Sequence, residues 1–230
     1  MKQIKRILII PARSGSKRIK NKNIKKFHNQ PIIYYPLKVS MKSKIFDKIH
    51  VSTDSAKISK VVNKLGRFVD FLRPKNLSSD NISLITVLEY VINKYEEEGI
   101  NFDEVWSILP CSPLLKINDI LKCKKLIKLN KSPVIAVSPY AAPLNWAFQV
   151  QNNLIYKADE KMIRNNKLSK IKKYYDSGQI YCFPIDTIKK KKFNFKKKIV
   201  AYQLPIERSV DIDTKEDWKL AEVLYQGLKK

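Results

Sequence analysis

The segment Arg6-Ile-Leu-Ile-Ile-Pro-Ala12 is a short apolar run, and Arg13-Ser-Gly-Ser-Lys-Arg-Ile-Lys-Asn-Lys-Asn23 follows it directly. An apolar run of this length that ends near a proline is typical of a buried strand in a parallel sheet. The polar stretch then forms the loop that leaves the carboxyl end of that strand. Ligands of open α/β sheets bind at this edge, so the loop is the first candidate site.

Strands and helices alternate along the chain after this first strand. Further strands are predicted at Lys48–Thr53, Arg67–Leu72, Glu104–Leu109 and Pro133–Ser138, and helices at Pro31–Met41, Ser55–Leu65, Ser83–Glu98 and Asn118–Leu129. Asp54 or Ser55 is placed to cap the second helix. The alternation predicts an α/β layer fold with a mainly parallel sheet.

The alternation stops after Ser138. Residues Pro139–Lys173 contain short stretches in which aromatic and apolar side chains alternate, which predicts a hairpin-like insertion. Strands at Gln179–Pro184 and Ile199–Leu204 and a helix at Lys215–Gly227 complete the pattern. Because there is no internal repeat and no long linker, we expect a single domain over residues 1–230, with the insertion at about 139–173.

The composition excludes several classes of site. Five glycines leave no G-x-G-x-x-G and no G-x-x-x-x-G-K-[ST], and two histidines exclude H-E-x-x-H. Cys111, Cys123 and Cys182 form neither a disulfide framework nor a C-x-x-C metal site. No stretch approaches the ~20 apolar residues that span a bilayer. We therefore expect a cytoplasmic protein that has no membrane partner.

The strong positive charge has two interpretations. The chain carries 46 Lys+Arg against 21 Asp+Glu, a net charge of +25, which is typical of proteins that bind nucleic acid. Only seven of these cations are Arg, however, and reading of bases favours the guanidinium group. The lysines spread along the whole chain, which favours a solvated surface and no nucleic-acid partner. Strongly salt-sensitive DNA binding would support the alternative interpretation, a nucleic-acid-binding protein.

The loop after the first strand has the composition of a phosphate site. It contains one glycine, two hydroxyl groups and five cations, at Arg13, Lys17, Arg18, Lys20 and Lys22. Backbone N–H groups together with fixed cations are what a triphosphate requires. A solvated basic turn is the alternative.

Two aspartates near the end of the chain form the second candidate site. Asp211 and Asp213 alternate, so in an extended segment they share one face. Two carboxylates suit Mg²⁺, which commonly takes one or two protein ligands together with substrate phosphates and water. Alternatively, Asp213 and Thr214 only cap the last helix.

Together the two segments describe a magnesium-dependent nucleotidyl-transfer site, and the chain resembles the CMP-sialic acid synthetases, also called acylneuraminate cytidylyltransferases. The matching motifs are I-P-A-R-S-G-S-K-R-I-K-N-K-N-I at 10–24, V-S-T-D at 51–54, F-L-R-P at 71–74, P-C-S-P-L at 110–114 and D-I-D-T-K-E-D-W at 211–218. The resemblance implies a Rossmann-like, three-layer nucleotidyltransferase fold with a mixed, mainly parallel sheet. It also implies CTP as substrate, Mg²⁺ as cofactor, and a homodimer in which the insertion closes the partner's sugar pocket.

The resemblance also implies roles for individual residues. Arg13 and Lys22 match family cations that hold the CTP phosphates and stabilise charge at the α-phosphate, and Asp211 and Asp213 match the metal-binding pair; these four are the expected catalytic residues. The further nucleotide-binding residues are Ala12, Ser14, Gly15, Ser16, Asn23, Arg73 (beside the cytosine) and Ser83.

Two departures from the sialic-acid pattern indicate a branch of the family. Leu109 stands where those enzymes have the Gln of L-Q-P-T-S-P, and Gln179 lies in D-S-G-Q-I-Y, where they have N-G-A-I-Y. A D-[AS]-G-Q-[FI]-Y pattern resembles the pseudaminic acid cytidylyltransferases. The R-S-Q-D-L of that branch is missing, and Arg164 lies close enough to replace its arginine. Leu109, Arg164, Gln179 and Tyr181 are therefore the expected sugar-binding residues.

We expect a cytidylyltransferase that joins CTP and an acidic nine-carbon sugar, with pseudaminic acid as the best-fitting sugar. Within nucleotidyl transfer, the alternatives are an N-acetylneuraminate, legionaminate or 3-deoxy-octulosonate cytidylyltransferase. A metal-dependent glycosyltransferase also uses D-x-D, but there the pair normally follows a mid-chain strand.

Overall fold

Six strands form the central sheet in the part of the chain that the computed structural model describes, residues 3–66, 68–143, 147–157, 172–190, 193–194, 196 and 198–228. They are β1 (Arg6–Pro11), β4 (Lys48–Ser52), β5 (Glu104–Ile108), β6 (Val134–Pro139), β9 (Tyr174–Pro184) and β10 (Val200–Gln203). Their order is β10-β6-β9-β5-β1-β4, and β9 runs antiparallel to both of its neighbours. The other pairings are parallel.

Two hairpins lie outside this sheet. One pairs β2 (Lys26–Phe27) with β3 (Gln30–Pro31), and the other pairs β7 (Phe148–Gln151) with β8 (Leu154–Lys157). The second hairpin lies within the predicted insertion. Residues 144–146 and 158–171 of that insertion, which include Arg164, lie outside the described part of the chain.

The helices cover both faces of the sheet. They are α1 (Tyr34–Ser43), α2 (Ala56–Asn63), α3 (Leu84–Glu97), α4 (Ile117–Asn130), α5 (Ile185–Lys189) and α6 (Lys215–Gly227). None of the helices in the described residues is long and apolar enough to cross a membrane.

Alternation along β1 explains the three layers. Ile7 and Ile9 pack with residues of α3 and α5 in one core, whereas Leu8 and Ile10 pack with α1, α2 and α4 in another. All four side chains are fully buried. Successive side chains of a strand point to opposite faces, so a continuous apolar run requires helices on both sides. The three-layer α/β fold expected from the sequence is thus confirmed.

The strand predicted at Arg67–Leu72 is wrong. Residues 68–72 run beside β4 without forming a strand. The N–H groups of Phe68 and Val69 donate instead to the Asn63 side chain, at 3.1 and 3.0 Å. In the described residues, one backbone hydrogen bond joins this stretch to β4, from the Val51 N–H to the Phe68 carbonyl at 2.7 Å; the other links are side-chain contacts, an ion pair of Lys48 with Asp70 and stacking of His50 on Phe71. β4 is therefore the edge strand of the sheet.

Two other boundaries differ from the sequence prediction. Helix α1 begins at Tyr34, because Pro31 pairs with Lys26 in the short β2–β3 hairpin and does not lie in a first helical turn. Strand β9 begins at Tyr174, well before the predicted Gln179, because it pairs with the end of β6 as well as with β5.

Candidate active site

A cavity of about 630 Å³ opens at the edge of the sheet where β1 and β5 end. It is lined by Asp80 and by residues of four segments: the loop 11–23, 109–112 after β5, 177–179 in β9 and 210–213 before α6. Because β9 is antiparallel to β5, its first half lies at the edge where the parallel strands finish. Four segments that are distant in sequence therefore meet at the predicted edge.

A smaller cavity of about 250 Å³ adjoins the first one. Arg13, Asp80 and Leu109 line both cavities, and Arg73 and Ser78 contribute to the smaller one only. The Arg73 side chain is buried and donates from Nε to Ser78 Oγ at 3.1 Å. A guanidinium group held in this way presents its remaining N–H donors to a ligand in a fixed direction.

Asp54 anchors the tip of the phosphate-site loop. It accepts hydrogen bonds from the Ser14 N–H at 2.8 Å and from Ser14 Oγ at 2.6 Å. Partial burial opposes ionisation of Asp54, but these hydrogen bonds hold its pKa below the usual value. Ser55 is the residue that caps α2, by accepting from the Ile58 N–H at 3.3 Å. Sequence reasoning considered Asp54 as a possible cap and as part of the V-S-T-D motif, and it missed the contact with the loop.

Asn23 holds the other end of the same loop. Its side chain is buried, and Nδ2 donates to the Arg13 carbonyl at 2.9 Å. Its Oδ1 accepts a long contact from Cys111 Sγ at 3.6 Å. Ala12 continues the backbone pairing of β1, and a Cβ placed on Gly15 would meet nothing within 4 Å. The backbone between these anchors is therefore open to the cavity.

Asp80 pairs with two cations of the loop. Arg13 Nη1 forms an ion pair with it, and Lys17 Nζ lies 2.7 Å from its Oδ2. Hydrogen bonds from Lys17 and then Arg13 lower the pKa of the Asp80 carboxyl. No sequence pattern singled this residue out. Because both ion pairs are solvent-exposed, an incoming anion can replace the Asp80 carboxylate as the partner of Arg13 and Lys17 at small energetic cost.

Lys22 and Arg18 reach the segment before α6. Lys22 Nζ lies 3.0 Å from Asp213 Oδ1 and donates to the Ile212 carbonyl at 2.6 Å. Arg18 Nη2 lies 2.5 Å from Asp213 Oδ2. The two predicted sites are thus in direct contact, although nearly the whole chain separates them in sequence.

The two aspartates have different electrostatic surroundings. Loss of hydration in the cavity wall, and then the negative charge of Asp213, raise the pKa of Asp211. Desolvation acts the same way on Asp213, but hydrogen bonds and charges from Lys22 and Arg18 outweigh it and lower the pKa of that carboxyl. Asp211 accepts no hydrogen bond from the described residues, so its oxygens are available to a cation.

Helix capping does not account for this pair of aspartates. Thr214 caps α6: its Oγ1 accepts from the Asp217 N–H at 3.2 Å, and Asp217 Oδ2 accepts from the Thr214 N–H at 2.7 Å. The capping alternative therefore holds for Thr214, whereas Asp211 and Asp213 lie before the cap and line the cavity.

Comparison with known proteins identifies the family. A family model described as cytidylyltransferase matches residues 7–229. The chain belongs to the cytidylyltransferase family. It is 34% identical over 226 residues to a pseudaminic acid cytidylyltransferase of Campylobacter jejuni, with 97% of each chain covered. It is 30% identical over 227 residues to a CMP-N,N'-diacetyllegionaminic acid synthase of Legionella pneumophila, with 96% of each covered.

A solved structure supports the fold of this cytidylyltransferase. The structure of a CMP:2-keto-3-deoxy-manno-octonic acid synthetase complexed with CTP superposes with a TM-score of 0.74 at 14% identity, covering 97% of this chain and 99% of the other. At that identity the likeness concerns the fold alone. Family membership makes the chain a CTP-using nucleotidyltransferase rather than a glycosyltransferase.

Leu109 and Gln179 of this cytidylyltransferase are neighbours across two strands. The Leu109 N–H donates to the Gln179 carbonyl at 3.2 Å, in continuation of the β5–β9 ladder. Directly opposite residues of an antiparallel pair project on the same face. The two departures from the sialic-acid pattern therefore lie side by side in one wall of the larger cavity.

The amide donor of Gln179 is engaged within the protein. Its Nε2 donates to the carbonyls of Arg208 and Val210, at 3.0 and 3.4 Å. Two carbonyl neighbours require the NH₂ end of the amide, which fixes its orientation. Its Oε1 is buried and has no partner among the described residues. This oxygen is thus a buried, unpaired acceptor on a residue that lines the larger cavity.

Two other expected site residues, Tyr181 and Ser83, line neither cavity. Tyr181 donates to Asp176 Oδ2 at 2.9 Å, burial raises its pKa, and its side chain lines neither cavity. Ser83 caps α3 by accepting from the Thr86 N–H at 3.1 Å, although its neighbours border the smaller cavity. Arg164 lies outside the described residues, whereas Ser16 lines the larger cavity as expected.

The anchoring of Ser14 generates a prediction. Asp54→Ala removes two hydrogen bonds to the loop, and we expect the KM for CTP to rise about tenfold, which corresponds to about 1.4 kcal/mol. Steady-state kinetics with varied CTP measures this. Ser55→Ala is the matched control, because it removes the cap of α2 at the neighbouring residue and leaves the hydrogen bonds between Asp54 and Ser14 in place. An unchanged KM in a folded Asp54→Ala variant would contradict the anchoring role.

Proposed function

We propose that this cytidylyltransferase transfers the CMP group of CTP to the anomeric hydroxyl of an acidic nine-carbon sugar, pseudaminic acid being preferred, with release of pyrophosphate. The observation that carries the proposal is the meeting of the phosphate-site loop and the Asp211–Asp213 segment in one cavity, bounded by the Leu109–Gln179 wall. The full-length similarity to pseudaminic acid cytidylyltransferases supports the choice of sugar.

The two cavities suit the two parts of the nucleotide. In our proposal the base lies in the smaller cavity, where Arg73 is fixed by Ser78. The triphosphate then extends past Arg13, which lines both cavities, toward Lys22. Arg13 exchanges Asp80 for phosphate oxygens, and the open backbone around Gly15 allows close approach.

The residues of the described chain fit a magnesium ion. Asp211 and Asp213 face one cavity, burial and then the charge of Asp213 raise the pKa of Asp211, and the Asp211 oxygens accept no hydrogen bond from the described residues. This uncompensated negative charge is what a divalent cation neutralises, and one or two carboxylates are a usual protein contribution for Mg²⁺. When bound, the ion would act as a Lewis acid on phosphate oxygens.

The side chains of the protein position the reactants. The oxygen of the sugar hydroxyl forms a bond to the α-phosphorus in line and gives its proton to solvent water, while the bond from the α-phosphorus to pyrophosphate breaks. Lys22 is held between Asp213 and the Ile212 carbonyl. In our proposal its ammonium group stabilises the charge that develops at the α-phosphate during transfer. Positioning and charge neutralisation are the main contributions that a protein makes to phosphoryl transfer.

The wall of the larger cavity carries the preference for the sugar. Leu109 cannot form a hydrogen bond with a substituent that a Gln at this position would hold, and an unpaired buried polar group costs about 1–3 kcal/mol. Gln179 Oε1 is a buried acceptor without a partner among the described residues, and it suits an N–H or O–H donor of the sugar. The wall therefore favours a sugar that has an apolar group next to Leu109 and an N–H or O–H group that donates a hydrogen bond to Gln179 Oε1.

A substrate panel tests the proposed function. Pyrophosphate release is followed with CTP, Mg²⁺ and equal concentrations of pseudaminic, legionaminic, N-acetylneuraminic and 3-deoxy-octulosonic acids. We expect pseudaminic acid to exceed N-acetylneuraminic acid at least about tenfold in kcat/KM. ATP, GTP and UTP in place of CTP serve as controls. Equal or better use of N-acetylneuraminic acid would refute the sugar assignment but not the CTP-dependent transfer.

Loss of either aspartate tests the metal role. Asp211→Asn and Asp213→Asn should each lower kcat by about two orders of magnitude or more, because a carboxylate that neutralises charge at the reacting phosphate is lost. Stopped assays across a range of Mg²⁺ concentrations measure the effect, with Asp186→Asn on α5 as a carboxylate control far from the cavity. Near-normal turnover in both variants would exclude the pair from the reaction.

We further propose a homodimer formed through the β7–β8 hairpin. Phe148, Val150 and Ile155 are 57%, 70% and 68% exposed. Val150 pairs directly with Ile155, so these three apolar side chains share one face. An apolar face of this kind is favourable only when another surface covers it.

The hairpin proposal is tested by molar mass in solution. Light scattering after gel filtration should give twice the mass of the 26.8 kDa chain. Val150→Lys combined with Ile155→Lys should give monomers, because two charges are placed on the covered face. Gln149→Lys, on the opposite face, is the control. Monomeric wild-type protein at micromolar concentration would contradict the proposal.

We also propose that the protein works in the cytoplasm. Cys111, Cys123 and Cys182 are free thiols, which agrees with a reducing compartment where CTP is made. Fractionation of the producing cells would test this, and enrichment outside the cytoplasmic fraction would contradict it.

A further inference from the structure

The segment that carries Asp211 and Asp213 has little secondary structure of its own. It runs from β10 to α6 and contains only a short 3-10 turn at Ile206–Arg208. Side chains from distant elements therefore set the position of the two carboxylates. One of those contacts is a buried ion pair between Arg208 and Asp119, in the first turn of α4.

This ion pair is nearly free of solvent. The Arg208 side chain is 11% exposed and that of Asp119 is 2% exposed. Asp119 also accepts from the Lys116 N–H at 2.8 Å and from the Tyr202 hydroxyl at 2.6 Å. Each member of the pair loses hydration on burial, and an apolar pair of similar volume often stabilises a fold as well. Stability alone is therefore a weak reason for this arrangement.

The main chain of the same residue is held from the opposite side. The Arg208 carbonyl accepts from Gln179 Nε2 at 3.0 Å, and the Val210 carbonyl shares that donor at 3.4 Å. Asp211 follows Val210 directly. The side chain and carbonyl of Arg208 thus have fixed partners on α4 and β9, immediately before the carboxylates that line the cavity.

We propose that Asp119, Arg208 and Gln179 form a positioning clamp that sets the geometry of the Asp211–Asp213 metal site. The proposal rests on the metal role given to that pair above. Asp119 and Arg208 line neither cavity, so they act on the reaction through the backbone of the segment and are positioning residues. The clamp also links the sugar wall to the metal site, because Gln179 belongs to both.

The test replaces the ion pair by an apolar pair. Asp119→Leu combined with Arg208→Met removes both charges together, so that neither is left buried alone. We expect cooperative unfolding to be retained, kcat to fall at least tenfold, and the KM for CTP to change less than threefold. The Mg²⁺ concentration at half-maximal rate should rise at least fivefold, and excess Mg²⁺ should restore part of the rate.

A binding measurement provides a readout that does not depend on turnover. Mn²⁺ binding in the presence of CTP, followed by the loss of the free Mn²⁺ electron paramagnetic resonance signal, should weaken at least fivefold in the double variant. If wild-type protein shows neither metal-dependent transfer nor CTP-dependent Mn²⁺ binding, the proposed metal role itself fails. If wild type shows both and the folded double variant matches it, only the clamp is refuted.

A second buried ion pair in the same protein serves as the matched control. Arg6 Nε lies 2.8 Å from Glu104 Oε2 at the opposite edge of the sheet, with side-chain exposures of 10% and 8%. Arg6→Met combined with Glu104→Leu should leave kcat and Mg²⁺ dependence within twofold of wild type. An equal loss in both double variants would mean that buried ion pairs affect activity through general stability, which would overturn the clamp.

If the Asp119→Leu, Arg208→Met double variant does not fold, a conservative single variant provides the test. Arg208→Lys keeps a positive charge for Asp119 but loses the planar guanidinium geometry. We expect a smaller drop in kcat and a smaller rise in the Mg²⁺ requirement, with the KM for CTP unchanged. Wild-type kcat and Mg²⁺ dependence in this variant would also refute the clamp.

Discussion

The antiparallel insertion of β9 between β5 and β6 is the constraint on which the site depends. A strand that ran parallel with its neighbours would present its last residues at the functional edge. In this sheet β9 presents its early residues there, so Ser177, Gly178 and Gln179 lie beside the loops that leave β1 and β5. Gly178, with φ of +66°, lies next to Leu109 at this point, in a backbone region that favours glycine.

Opposite charges in the site offset one another before any ligand is present. The loop carries several cations within a few residues, and alone they would repel one another. Asp80 pairs with Arg13 and Lys17, while Asp213 pairs with Lys22 and Arg18. Because these carboxylates come from two different segments, they also fix where the loop lies. A triphosphate and a divalent cation together bring both kinds of charge, so they can take over these pairings without leaving either sign uncompensated.

The sequence predicts those features that depend on neighbouring residues in the chain. The apolar run of β1, the amphipathic pattern of α3 and the Thr214 cap of α6 are local, and the structure confirms them. The strand predicted at Arg67–Leu72 fails because Asn63 takes N–H groups that a strand would use. This competition depends on how α2 ends, which strand propensity does not describe.

Long-range partners account for what the sequence could not predict. Asp54 lies in a quoted motif, yet its contact with Ser14 depends on the adjacency of β1 and β4. The pairing of Asp119 with Arg208 joins residues 89 positions apart, and no spacing rule links them. The resemblance identified Gln179 from its motif, but it could not tell which end of the amide is free. That required the carbonyls of Arg208 and Val210.

In the proposed function, Gln179 both holds the backbone before Asp211 and accepts a hydrogen bond from the sugar. Its Nε2 donates to the backbone that leads to Asp211, and its buried Oε1 has no partner among the described residues. A sugar that donates to Oε1 polarises the amide and strengthens the donation from Nε2, because hydrogen bonds that share one polar group reinforce each other. Sugar binding and carboxylate placement are then coupled through a single amide. If the proposed sugar and metal sites hold, a substitution of Gln179 should alter sugar selection and the geometry of the metal site together, whereas Leu109 has no such link, within the described part of the chain, to the segment that carries Asp211.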